Sequence, residues 1–124
     1  MTRYVHLVFS DPPAGVSDDE YNAWYDEHVK EILSVDGWVS ATRYRVEGVV
    51  SADTTGGYRY LSQYELDRPP AEAIANLEAS GMGNKRAYAE NKPDGDALPV
   101  PDWFADIRFA SWNLEQVSET SSVA

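Results

Sequence analysis

Tyr21-Asn22-Ala23-Trp24-Tyr25-Asp26-Glu27-His28-Val29-Lys30-Glu31-Ile32-Leu33 is the stretch whose reading decides the fold. At about 100° per residue, Tyr21, Trp24, Tyr25, His28, Val29 and Ile32 share one broad arc, while Asn22, Asp26 and Lys30 point away from it. Just upstream, Ser17-Asp18-Asp19-Glu20 has the capping-box pattern, so a helix is expected over residues 18–35, broken by Asp36-Gly37. His28 falls near the middle of the apolar arc. The ordinary pKa of an imidazole lies near neutrality, and in this position the ring is shielded from bulk water. It is therefore either a hydrogen-bonded core residue or a general acid/base on the wall of an aromatic pocket.

On the N-terminal side, residues 4–9 alternate and are rich in strand formers. They place Val5, Leu7 and Phe9 on one face and Tyr4, His6 and Val8 on the other. On the C-terminal side, residues 38–50 read as a long second strand with Trp38, Ser40, Thr42, Tyr44 and Val46 on one side. Val39, Ala41, Arg43 and Arg45 would take the other side. Residues 51–57 read as a hairpin loop ending in Gly56-Gly57, and residues 58–66 as a third strand with Tyr58, Tyr60, Ser62 and Tyr64 in alternate positions. Asp67-Arg68-Pro69-Pro70 opens a second helix whose buried face is Ala73, Ile74 and Leu77. Residues 84–91 read as a further helical piece, and 92–101, with three prolines, as an irregular loop and candidate lid. Residues 103–115 form the fourth strand.

The order β-α-β-β-α-β predicts an α+β fold, ferredoxin-like, with a four-stranded antiparallel sheet and both helices on one face. One domain is expected over residues 1–116, with a flexible polar tail at 117–124. The uncovered sheet face would carry large side chains in either register, which predicts that two sheets pair in a homodimer.

Bulk composition excludes several classes. Ten Lys+Arg against 21 Asp+Glu, a net charge of −11, argue against nucleic acid and against an anionic membrane surface. No apolar run is long enough to span a bilayer, and the N-terminus does not read as a signal peptide, so a soluble cytoplasmic protein is expected. Without cysteine there is no disulfide, thiolate metal site or cysteine nucleophile. No His-x-x-x-His or Glu-x-x-His pair occurs, so no metal centre is expected. Fifteen aromatics weighted to Tyr and Trp suit a pocket or interface better than a wholly dry core.

Asn22-Ala23-Trp24-Tyr25-Asp26-Glu27-His28, followed by Gly37-Trp38-Val39-Ser40-Ala41-Thr42-Arg43-Tyr44, resembles the EthD-like branch of the dimeric α/β-barrel superfamily. There, a helix with a W-Y-x-x-E-H-like run leads into a P-G-[FW]-x-x-A-x-R-Y strand; Asp36 stands in place of the proline. The resemblance implies a ferredoxin-like protomer, a dimer, and a pocket between sheet and helices, in a superfamily that includes small cofactor-independent enzymes. His28 matches the helix histidine of the motif, and His6 is similar in placement to a strand histidine of some cyclases.

The chemistry these residues support is proton transfer without a cofactor, as in a lyase, isomerase or cyclase acting on a small aromatic or polyketide-like molecule. His28 would move the proton, with His6 as a second candidate. Tyr25 or Tyr64, or an arginine such as Arg45, would hold the developing oxyanion. Tyr21, Trp24, Tyr60 and Trp112 would stack on a substrate ring. A cofactor-independent monooxygenase of phenolic substrates would need the same deprotonation, and a non-catalytic ligand-binding barrel would need none of it. Each residue also has a bland reading: His6 and His28 as satisfied core residues, the Tyr/Trp stripe as packing. Arg43 and Arg45 would then be ion-pair partners rather than a carboxylate clamp.

Overall fold

The computed structural model describes residues 2–48, 57–82 and 100–123. Strand β1 (Tyr4–Asp11) leads into helix α1 (Asp18–Ile32), strands β2 (Trp38–Arg45) and β3 (Tyr60–Leu66), helix α2 (Pro70–Ala79) and strand β4 (Arg108–Glu115). The sheet order is β2-β3-β1-β4, with every neighbouring pair antiparallel. This is the topology expected of two interleaved β-α-β units.

Helix α1 starts where the capping box places it, with the Glu20 N–H donating to Ser17 Oγ at 3.1 Å. It ends three residues earlier than expected, because Leu33 caps it and the chain tightens through Ser34 and Val35 into Gly37. Tyr21, Tyr25, His28 and Ile32 are buried, and Trp24 and Val29 are half-buried, so the arc read from periodicity is the packed face. Helix α2 buries Ala73 and Leu77 and ends before Gly81, whose φ of 91° turns the chain away.

Both helices cover the same face of the sheet. Tyr60 on β3 packs with Tyr21 and Tyr25 of α1, Phe104 and Ile107 in one cluster. Tyr64 and Leu66 pack with Ile32, Trp38, Ala73 and Leu77 in a second. Each fully buried aliphatic or phenylalanine side chain, such as Phe104, Ile107, Ile32 or Leu66, favours the fold by about 1.5–3 kcal/mol relative to exposure.

Expectations for the strands need correction. Strict alternation along β2 fails at its start: Trp38 pairs with Leu66 and Ser40 with Glu65, leaving Val39 as an extra residue in a β-bulge. The bulge puts buried Trp38 on the same face as Ala41 and Arg43, opposite to the assignment made by counting, and Val39 is exposed. The fourth strand begins at Arg108, not 103. Phe104–Asp106 forms a 3₁₀ turn held by Phe104 N–H to Pro101 C=O and Asp106 N–H to Trp103 C=O, both 3.0 Å. Strands β2 and β3 are also shorter than expected, β2 ending at Arg45 and β3 starting at Tyr60; residues 49–50, the hairpin loop over 51–56, the helical piece over 84–91 and the lid up to residue 99 lie outside the described residues.

The opposite face of the sheet is covered by no helix among the described residues and carries exposed apolar side chains beside the polar Gln63 and Glu65. Trp112 sits against Phe9 edge to face at 5.6 Å, and Trp112, Leu114, Val39 and Tyr44 are all about half exposed.

Candidate active site

The helix-covered face of the sheet does not close completely between the two clusters. A cavity of about 210 Å³ remains where the middle of α1 crosses β1, β3 and β4. Its polar lining is His6, Tyr25, His28, Tyr64 and Ser111; its apolar lining is Val8, Ile32, Leu77, Met82, Phe104 and Phe109. A mostly apolar hollow with a few converging polar groups is the ordinary form of a small-molecule site.

His28 enters from α1. Its ring stacks on Trp24 at 4.6 Å with an interplanar angle of 14°, and meets Tyr25 edge on at 5.6 Å. Its Nδ1 lies 3.3 Å from Glu31 Oε1, one turn along the helix. A carboxylate only accepts, so this contact favours the tautomer with the proton on Nδ1. His6 enters from the first strand, on the face counted for it. Its Nδ1 is 2.7 Å from Asn113 Oδ1, and its neighbour across β1 and β4 is that same Asn113. With the amide oxygen facing it, Nδ1 donates and Nε2 is the basic nitrogen of the ring. Trp38 flanks the ring edge on at 5.4 Å. Burial pushes the His6 pKa below 6.5, partly opposed by the Asn113 hydrogen bond, so the neutral, proton-accepting form is favoured.

The two lining phenols are of different character from surface tyrosines. Burial raises the pKa of Tyr25, and raises that of Tyr64 well above the usual value. Both therefore stay protonated and act as hydrogen-bond donors. The Ser62 hydroxyl is near enough to favour ionisation of both phenols, yet among the described residues neither Ser62 Oγ nor Tyr64 OH completes a hydrogen bond. A buried hydroxyl without a partner costs about 1–3 kcal/mol, so phenylalanine would suit this position better if packing were the only demand.

The other residues singled out from sequence divide plainly. Trp24 supports His28 rather than lining the cavity. Tyr21 is buried with its hydroxyl donating to Ser10 Oγ at 2.6 Å. Tyr60 donates to Asp18 Oδ2 at 3.0 Å and accepts from Asn22. Arg45 lies with Asn22, Asp26, Arg43, Tyr44, Glu47 and Tyr60 along a separate shallow cleft of about 370 Å³. Trp112 is on the open face of the sheet, away from the cavity. Arg43 forms an ion pair with Asp26 at 3.1 Å within the chain.

Sequence reasoning missed Asn113, Phe104 and Phe109. Asn113 follows from His6 once the β1–β4 register is known, because the two are direct partners. Phe104 was concealed by reading residues 103–115 as one uninterrupted strand.

The geometry can be set beside known proteins. No family model and no curated protein matches the sequence. Solved structures do match in shape. The hydroxynitrile lyase from Passiflora edulis is 12% identical, with 97% of each chain covered and a TM-score of 0.60. A DABB-family protein with a ferredoxin-like fold from Mesorhizobium loti is 10% identical, covers 97% of this chain and 100% of its own, and has a TM-score of 0.55. The fold is ferredoxin-like. A dimeric ferredoxin-like protein from Thermobifida fusca is also similar, at 12% identity, with 91% of this chain and 92% of its own covered and a TM-score of 0.50.

Proposed function

We propose that this ferredoxin-like chain is a cofactor-independent lyase or isomerase, of the EthD-like kind, acting on a small aromatic or polyketide-like molecule. One observation carries the reading: two imidazoles from different elements, His6 on β1 and His28 on α1, line one apolar cavity together with two protonated phenols. The substrate's acidic O–H or C–H loses its proton to a histidine, and Tyr25 or Tyr64 donates a hydrogen bond to the oxygen that gains charge. The second histidine returns a proton to the leaving group or to the rearranged carbon. A positioned acid/base contributes about 10²–10⁴-fold, which suits bonds next to a carbonyl or an ionised oxygen. The likeness in shape to a hydroxynitrile lyase supports a cyanohydrin as one test substrate: removal of its O–H proton forms the carbonyl, the C–C bond to nitrile breaks, and cyanide takes a proton.

The active form in this reading is a homodimer paired through the open sheet face, supported by the exposed Trp112, Leu114, Val39 and Tyr44. The test is a panel of small aromatic ketones, phenols and cyanohydrins, scored for deuterium exchange and for carbonyl release. His28→Gln and His6→Gln are expected to lower the rate of any productive substrate by about 10²–10⁴-fold. A wild-type chain no faster than buffer across the panel, or a rate indifferent to both substitutions, removes the reading.

A further inference from the structure

Against the ring of Tyr25, which lines the cavity, the chain buries a guanidinium among three tyrosines. Arg43 Cζ lies 4.4 Å from the centre of the Tyr25 ring, 5.5 Å from that of Tyr60 and 5.9 Å from that of Tyr21. Its NH1 donates to Asn22 Oδ1 at 3.0 Å and Asp26 Oδ1 at 3.1 Å. Its Nε and NH2 are buried with no hydrogen-bond partner among the described residues. A structural strap between β2 and α1 needs only the NH1 contacts. Leaving two charged donors dry makes the side chain a costly strap, and what it gains instead is close contact with aromatic faces.

The rings it touches are connected to the cavity. Tyr25 lines it directly, and across the ladder Arg43 pairs with Ser62, next to the Ala41–Tyr64 pair. A cation on the face of a phenol draws electron density from the ring and makes its O–H a stronger donor. In a site of low dielectric that field is little screened. The positive charge opposes the effect of burial on Tyr21, Tyr25 and Tyr64 alike.

We propose that Arg43 is a positioning residue: it biases the Tyr25–Tyr64 pair to hold an anionic oxygen, so the cavity prefers the ionised form of a small phenol or enol. This rests on the reading of the cavity as the ligand site, and it names the charge state of the ligand. The titratable and charged groups around the two phenols are Tyr21, His28 and Glu31 on α1, His6 on β1, Tyr60 on β3 and Arg43 itself on β2. The exposed Asp26 partly neutralises Arg43 from outside.

The probe is 4-nitrophenol, whose absorbance reports its ionisation directly. In the wild-type chain the bound probe is expected to ionise at lower pH than in water. Arg43→Gln should raise that midpoint by about one unit. Arg43→Lys, which keeps the charge without the flat stack, should fall between the two. Asp26→Asn, at an exposed carboxylate, should move it further down by a fraction of a unit, and provides a second arm if Arg43→Gln does not fold. His6 and His28 are unchanged in all of these proteins, so the difference between variants isolates Arg43. A purely structural role predicts lower thermal stability in Arg43→Gln with an unmoved probe midpoint, which overturns the inference. So does binding of the neutral probe only, or of neither form. Arg43-dependent phenolate binding without turnover keeps this inference and removes the enzymatic reading; turnover indifferent to Arg43 does the reverse.

Discussion

His6 illustrates how one side chain links the cavity to stability. Burial lowers its pKa below 6.5, so the folded chain resists protonation more than the unfolded chain does. Between the folded pKa and 6.5 the unfolded state binds more protons, and stability therefore rises with pH across that window. The contribution is complete above 6.5 and is lost as pH falls toward the folded pKa. Urea unfolding of wild type and His6→Gln at either end of the window should show a pH slope that the substitution flattens. An equal slope in both proteins would assign the acid sensitivity to other groups. Tyr64 offers the converse test. Its hydroxyl is buried without a hydrogen-bond partner among the described residues, so Tyr64→Phe should leave the urea midpoint unchanged or raise it. In the proposed reaction the same change should cost about 10²–10³-fold in rate, as expected for loss of an oxyanion donor. A clear loss of stability would instead show that the hydroxyl serves the fold.

At the scale of elements, α1 and the turn after it govern where the site residues stand. Ser17→Ala removes the cap on the Glu20 N–H and should cost about 1 kcal/mol in chemical unfolding. Gly37 is more sensitive. It adopts φ of 103°, and an added Cβ would approach the Arg68 side chain at 3.1 Å and Ala73 Cβ at 3.3 Å. Gly37→Ala should therefore destabilise by more than the roughly 1 kcal/mol of backbone strain alone, read from the same unfolding curves. It should also disturb Trp38, whose indole N–H donates to Ala73 C=O at 2.9 Å, visible as a shift in tryptophan emission. Helix α1 was legible because its period, cap and stop signal agree locally. The β2 bulge was not, because counting by twos assumes the ladder it is meant to predict. The start of β4 was hidden for a related reason: Trp103, Phe104 and Ile107 have strand-forming composition, while the Phe104–Asp106 turn is set by its packing under α1.

Across the described residues, one sheet face is covered by helices and borders the cavity, while the other exposes large apolar side chains such as Trp112 and Leu114. Charge placed on that face should separate the proposed dimer: Trp112→Glu, on the edge strand β4, is expected to halve the mass measured by light scattering while leaving far-ultraviolet circular dichroism intact. A wild-type chain that is already monomeric would defeat the homodimer reading. Local sequence pattern set the order of elements, the packed face of α1 with His28 on it, and the sharing of one strand face by Tyr4, His6 and Val8. All of these follow from local periodicity and capping, which need no knowledge of distant residues. The tertiary structure alone decided that the two imidazoles line one hollow, that Asn113 holds His6, and that Arg43 lies on the Tyr25 ring. Those contacts join residues 17–107 positions apart, and strand register and the bulge, not local pattern, bring them together.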